Sequence, residues 1–325
     1  MNSLAPPTSS TFVNESLECP LCSAPEQKIL FEYGGKSLRT CLRCAATYMF
    51  PQPSPETVAA HFENADTGQS KGESKDEAKH LEYKFERNRE KVLSRVAHYI
   101  TQRRQPGTIL DVGCATGLFL ARFFGNSRWQ AWGLEPSPGA AAEAARKGIR
   151  IYRGRIDQAK LADSSFDVVT VLDAFYYFPR PQAELAEFRR VLKPDGLLVL
   201  EFPLATSRIW RSSRTLGKLL SGSRRPLLES SDHLFYYTPK SISRLLELNG
   251  FRVQTILPLP GNRQARLHRD LVFRAYWAFS QLLCFLSRSS IFLGPRFLVA
   301  AVKTAEARAS GDLREPSPPA SRIAH

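Results

Sequence analysis

The sequence predicts an α/β protein built on a doubly wound, mainly parallel sheet, preceded by a small cysteine-bearing module. Three observations lead there. From Thr108 to Tyr152 short apolar runs alternate with helical patterns: a strand at Ile109, a helix from Leu118, a strand at Ala131, a helix from Ser137 and a strand near Ile149 to Tyr152. Alternation of this kind builds βαβ units and a parallel sheet. The first strand runs into Gly113-Cys114-Ala115-Thr116-Gly117, a turn without bulky side chains, and the second ends in Glu135. Near the N-terminus, Cys19, Cys22, Cys41 and Cys44 form two C-x-x-C pairs in a stretch with almost no apolar core.

Taken in order, residues 1–16 are rich in Ser, Thr and Pro without periodicity and read as disorder. Residues 17–50 carry the cysteines at the spacing of a four-cysteine zinc ribbon, each knuckle supplying two thiolates to one tetrahedral ion. Lys28 to Tyr33 and Lys36 to Thr40, joined by Gly34-Gly35, read as the hairpin such a ribbon needs. So small a module cannot fold on burial alone, and four thiolates leave no open coordination position, so the expected Zn2+ is structural. Disulfides are the alternative, and nothing in the sequence indicates secretion. Residues 51–82 read as a linker: Pro51 to Pro55 is a stiff connector, and Asp66 to Lys79 is a mixed-charge run. Glu82 to Arg104 has helical spacing, with Val92, Leu93, Val96 and Ile100 among its apolar positions.

Counting along the turn after the first strand narrows the ligand. A dinucleotide fingerprint needs glycine at positions one, three and six; here they hold Gly113, Ala115 and Leu118. The pyrophosphate-specific packing is missing, so NAD and FAD are disfavoured. Asp111 closes the strand with a carboxylate, the small turn lets a ligand approach the main chain, and Glu135 is placed to accept hydrogen bonds from ribose hydroxyls. A nucleoside without pyrophosphate fits this pairing.

The blocks DVGCATG, GLEPS, SSFDVVTVLDAFYYF and FRRVLKPDGLLVLEFP, in that order, resemble the successive motifs of class I S-adenosylmethionine-dependent methyltransferases, and the likeness extends over about Lys84 to Lys303. It implies a seven-stranded Rossmann-like sheet over residues 83–304, with S-adenosylmethionine at Asp111, Gly113, Cys114, Ala115, Gly117 and Glu135. Ile156 would then be an apolar wall for adenine and Asp157 an acceptor for its amino group. Asp173, closing the fourth strand, would face the methionine half or the substrate. Relatives often carry a histidine in the segment that follows; here Tyr177 holds that place, and Tyr176 and Tyr177 are expected to wall the substrate pocket. Tyr177 and His233 are the candidate catalytic residues: His233 follows an Arg- and Ser-rich insertion, and histidine as a residue type can take a proton from a hydroxyl near physiological pH. Many methyl transfers need alignment alone, so an essential base stays open. The ribbon followed by a PxPS segment is similar to bacterial methyltransferases of sugar-nucleotide, polysaccharide and secondary-metabolite pathways.

Strands six and seven are expected at Phe251 to Ile256 and Arg296 to Val302, with 207–235 and 262–293 as substrate-side insertions or a lid and 305–325 as a disordered tail. Residues 266–288 are apolar, aromatic and basic, and read either as a lid or oligomer contact or as a helix lying on an anionic membrane surface. Formal net charge is +14. Up to Leu204 Lys+Arg number 26 and Asp+Glu 24; from Ala205 onward they number 19 and 7. The basic C-terminal third is where a phosphate-bearing small molecule would be met, the expected acceptor being a sugar nucleotide, glycan or metabolite precursor. RNA methylation is the first alternative, weakened by the neutral ribbon; a non-catalytic binding protein of the same fold is the second. No run reaches the ~20 apolar residues of a spanning helix, and the expected location is cytoplasmic. Oligomeric state is not legible.

Overall fold

A computed structural model describes residues 18–33, 35–65, 89–124, 128–204, 233–259, 279 and 296–304. The expected insertions, the basic stretch 266–288 and both tails lie outside these or nearly so. Among the described residues no helix is long and apolar enough to cross a membrane.

The large sheet contains seven strands in the order β10-β11-β8-β7-β4-β5-β6: β4 (Thr108–Val112), β5 (Gln130–Glu135), β6 (Arg150–Arg153), β7 (Phe166–Leu172), β8 (Leu192–Pro203), β10 (Phe251–Leu259) and β11 (Arg296–Lys303). Strands β4 to β8 run parallel to one another, while β11 is antiparallel to both β8 and β10. Neighbouring residues on these strands feed opposite layers. Leu110, Val112, Val169, Val171, Leu198 and Leu200 join one core, and Ile109, Val168, Leu197 and Val199 join the other. This is why the strands read as nearly continuous apolar runs: both faces are covered.

Helix α2 (89–101) covers the second layer with Val92, Leu93, Val96 and Ile100, the described part of the helix expected over 82–104. Helix α3 (Pro138–Arg146) begins where Ser137 accepts a hydrogen bond from the Ala140 N–H, and α5 (Pro239–Leu248) begins in a Thr238/Ser241 capping box. Both have proline in the first turn, as does α4 (Pro181–Val191).

Two expectations fail locally. The helix anticipated from Leu118 is only a 3-10 turn at Leu120–Phe123 within the described residues, so a helix N-terminus cannot be invoked behind the glycine turn. The stretch read as a linker contains α1 (Pro55–Ala65), started by Ser54, whose hydroxyl accepts from the Thr57 N–H at 3.1 Å.

The ribbon is a second sheet, β1 (Gln27–Tyr33), β2 (Lys36–Cys41) and β3 (Thr47–Phe50), in antiparallel order. Its fourth strand comes from far along the chain: β9 (Phe235–Tyr236) pairs with β3 through Thr47/Tyr236 and Tyr48/Phe235. Leu21, Leu38, Tyr48 and Met49 consequently share one apolar core with Leu200, Phe202 and Tyr237. The ribbon is thus packed onto the fold of the large sheet; Pro51 to Pro55 does not hold it apart.

Candidate active site

The turn between β4 and β5 folds back over the end of β5, the N–H groups of Gly113 and Cys114 donating to the Leu134 carbonyl at 2.8 and 3.2 Å. Gly113 has φ +76°, and a Cβ there would stand 2.9 Å from the Cβ of Ala174. The turn therefore abuts the residue after Asp173. Glu135 is buried; its Oε2 accepts the Ala115 N–H and its Oε1 the Ser137 N–H, both at 2.9 Å. Two backbone donors fix the carboxylate's orientation, the condition for presenting it to ligand hydroxyls. Asp111 is also buried and accepts from Thr170 Oγ1 at 2.6 Å. Burial pushes its carboxyl up to about 7, against the Thr170 hydrogen bond and the Arg89 charge. The Cys114 thiol packs into the core against Gly133, where an added Cβ would meet Sγ at 2.5 Å, while its main chain belongs to the turn.

Asp173 directly follows β7, beside the turn. It sits at φ +63°, buried, with its carboxylate engaged inside the protein. Tyr176 Oη donates to Oδ1 at 2.6 Å, Arg296 pairs with the same oxygen, and Arg89 Nε lies 3.7 Å from Oδ2. The two guanidiniums converge as well on Glu201, Arg89 Nη2 at 2.6 Å from Oε2 and Arg296 Nε on Oε1. Burial alone would raise the Asp173 carboxyl; the charges of Arg296 and Arg89 outweigh it and hold the group well below the usual carboxylate range. Asp173 is therefore an ionised anchor for Tyr176. Arg89, Glu201 and Arg296 were not singled out from sequence, although a glutamate inside LLVLEFP and an arginine opening RFLVAAVK are charges set in apolar strands.

The structure brings the two candidate catalytic residues together. The His233 ring, 3% exposed, stacks on Tyr176 with centroids 3.7 Å apart and planes at 14°, and Tyr177 meets it edge-on at 5.2 Å. Phe62 of α1 closes the far side of Tyr177 at 5.2 Å. Burial, first, and the Asp173 charge push the Tyr176 hydroxyl well above its ordinary value, so it stays protonated and donates. Ile156, expected as an apolar wall for adenine, is fully buried in the core. Asp157, expected as an acceptor for adenine, is engaged by Arg155, Nε to Oδ1 at 3.0 Å and Nη2 to Oδ2.

The four cysteines do converge, all sulfurs lying within 4.8 Å of one another. Cys19 and Cys44 Sγ are 3.6 Å apart, Cys22 and Cys41 Sγ 3.5 Å, close to the ~3.8 Å edge of a tetrahedron with Zn–S ≈ 2.3 Å. The knuckles are built alike. The Cys19 and Cys41 N–H groups donate to the Ala24 and Ala46 carbonyls, both at 2.9 Å, and Ser23 and Ala45 take φ +54° and +57°. Burial and the neighbouring sulfur of Cys44 push the Cys22 thiol up to about 12, so the thiolates need a cation to coexist. The donor set fits Zn2+.

The Methyltransf_23 family, described as a methyltransferase domain, matches residues 81–256, over half of the chain. The chain belongs to that family of methyltransferase domains. Among its relatives, a tRNA U34 carboxymethyltransferase of Aeromonas hydrophila is 32% identical over 102 residues, 29% of this chain and 31% of that protein. An uncharacterized methyltransferase of Mycobacterium avium is 32% identical over 122 residues, 36% of this chain and 47% of that protein. The chain thus spans a third to a half of the length of these curated relatives. A chain from the complex between the Haloferax volcanii Trm112 methyltransferase activator and a methyltransferase superposes with TM-score 0.52 at 16% identity, covering 74% of this chain and 98% of that one. It shares the fold.

Proposed function

We propose that the protein methylates a small-molecule acceptor seated against the Tyr177/His233 wall, with a structural Zn2+ held by Cys19, Cys22, Cys41 and Cys44. The observation that carries this reading is the join between turn and wall: Gly113 abuts Ala174, and Asp173 beside it anchors the tyrosine on which His233 stacks. When bound, S-adenosylmethionine supplies a methyl carbon whose bond to the sulfonium breaks with the electron pair returning to sulfur. Glu135 orients the ribose. Gly113 to Gly117 offer main chain to the methionine portion. Tyr177 and Phe62 exclude water and fix the angle of approach of the acceptor, the alignment on which such a transfer depends. His233 receives the proton that the attacking hydroxyl or amine gives up.

A sugar nucleotide or related metabolite precursor is the favoured acceptor. Its support is an aromatic wall assembled from α1, the 175–177 turn and 233–236, which suits a ring-sized ligand, together with the basic C-terminal third. The tRNA-modifying relative favours RNA as the second reading. The test pairs calorimetric titration of zinc-loaded protein with S-adenosylhomocysteine and transfer of labelled methyl to nucleoside-diphosphate hexoses or to bulk tRNA. Label in the hexose fraction supports the proposal, and label in tRNA replaces it. Absence of S-adenosylhomocysteine binding removes the enzymatic reading altogether.

A further inference from the structure

The residue that follows His233 is held from two sides. The Leu234 N–H donates to the Tyr176 carbonyl at 3.0 Å, and the Leu234 carbonyl accepts the Met49 N–H at 2.9 Å. The first bond ties this strand to the turn that carries the tyrosines. The second ties it to the ribbon, one residue beyond the β3/β9 pairing. Gln52 completes the grip. It is buried, 3% exposed, and its Nε2 donates to the Met49 carbonyl at 2.5 Å and reaches the Leu234 carbonyl at 3.4 Å. A second strut joins the modules nearby, Gln182 Nε2 of α4 donating to the Pro20 carbonyl inside the first cysteine knuckle at 2.7 Å.

A strand of two residues cannot hold its own position, because two-residue pairings gain too little to offset the ordering of the backbone. β9 has that length, and it follows a segment outside the described residues. Its position, and with it that of His233, therefore depends on what it pairs with. That partner is β3, whose far end leads from the Cys41/Cys44 knuckle.

We infer that the cysteine ribbon is part of the acceptor-binding machinery: Met49 and Gln52 are positioning residues that clamp Leu234, and so set the His233–Tyr176 stack, while leaving the cofactor turn untouched. This deepens the proposed function, resting on it for what the wall receives. The Asp111–Gly117 turn and Glu135 are held by Leu134, Ser137 and Thr170, none of which belongs to the ribbon. Loosening the ribbon should consequently separate two properties that global unfolding would lose together.

The experiment uses full-length, zinc-loaded protein and its Gln52→Met variant, which keeps side-chain length and removes the amide, with Met49→Pro as an independent variant lacking the other donor. Zinc content verifies that the cysteine knuckles survive. Amide hydrogen exchange is followed in peptides covering 233–237 and 108–117, with S-adenosylhomocysteine affinity measured in parallel. The expected result is exchange about tenfold faster in 233–237 for each variant, unchanged exchange in 108–117, and S-adenosylhomocysteine affinity within about twofold of the parent. Removing the metal with a chelator should reproduce the pattern more strongly. Unchanged exchange in 233–237 would overturn the clamp. Equal acceleration in both peptides, or loss of S-adenosylhomocysteine binding alongside, would overturn the separation and reduce the ribbon to general stability. If parent protein fails to bind S-adenosylhomocysteine while 233–237 responds as expected, the clamp stands and the enzymatic reading falls.

Discussion

Asp111 and Glu135 lie close in the fold, and their carboxylates are maintained in different ways. Glu135 is fixed by two backbone N–H donors, so Glu135→Gln would set an amide NH2 against one of them. We expect S-adenosylhomocysteine affinity to fall at least tenfold, about the effect of one lost charge-assisted hydrogen bond, by calorimetry. Asp111 has its carboxyl raised from 3.8 to about 7, chiefly by burial. A raised acid means that the folded state binds the proton more tightly than the unfolded one, so stability is greatest below pH 4 on this group's account and falls as pH rises towards 7. The ceiling of the effect is ~4 kcal/mol. Asp111→Asn keeps an acceptor for Thr170 and should flatten that part of the pH profile in urea unfolding between pH 4 and 8. Both carboxylates could be read from sequence by their positions at strand ends. That Asp157 is engaged by Arg155, and the Cys114 thiol by the core, could not, because both depend on which side chains meet after folding.

At the scale of elements, the glycine turn shows how local chemistry is constrained by packing. Gly117 stands at φ +77°, and a Cβ there would lie 2.2 Å from Ile149 Cδ1 and 3.1 Å from Ala144 Cβ. Gly117→Ala therefore combines backbone strain with overpacking, and should cost roughly 2–4 kcal/mol, measured as a shift in the urea midpoint at constant slope. Strand positions were legible because strands buried on both faces read as apolar runs, and β7, β8 and β11 fall where those runs lie, while the edge strand β10 is only partly buried. Helix boundaries were less so. α1 was read as connector because Pro51, Pro53 and Pro55 dominate its approach; yet Pro55 occupies its first turn, a place where proline is tolerated. The helix anticipated at Leu118 becomes a 3-10 turn because an apolar periodicity specifies burial more strongly than it specifies the helical hydrogen-bond pattern.

Across the whole molecule, four buried charges tie the sheet to its covering helix: Arg89 on α2, Glu201 on β8, Arg296 on β11 and Asp173 at the end of β7. They balance in pairs. Removing one partner leaves a buried charge uncompensated, so Arg296→Met should destabilise by ~3–5 kcal/mol. Replacing Glu201 as well restores neutrality with Arg89 and Asp173, and Arg296→Met/Glu201→Met should lose less than the single variants together, a coupling that a double-mutant cycle in urea would measure. By itself the sequence determined the succession of strands in the large sheet, the glycine turn, the carboxylate that closes the second of those strands and the four thiols, since each is written in a short contiguous pattern. Only the tertiary structure decided that β9 completes the ribbon sheet, that Arg89, Asp173, Glu201 and Arg296 meet, and that His233 lies on Tyr176. Those partners are separated by 57 to 189 residues, and nothing local in the chain encodes a pairing whose free energy arises only when distant segments are buried together.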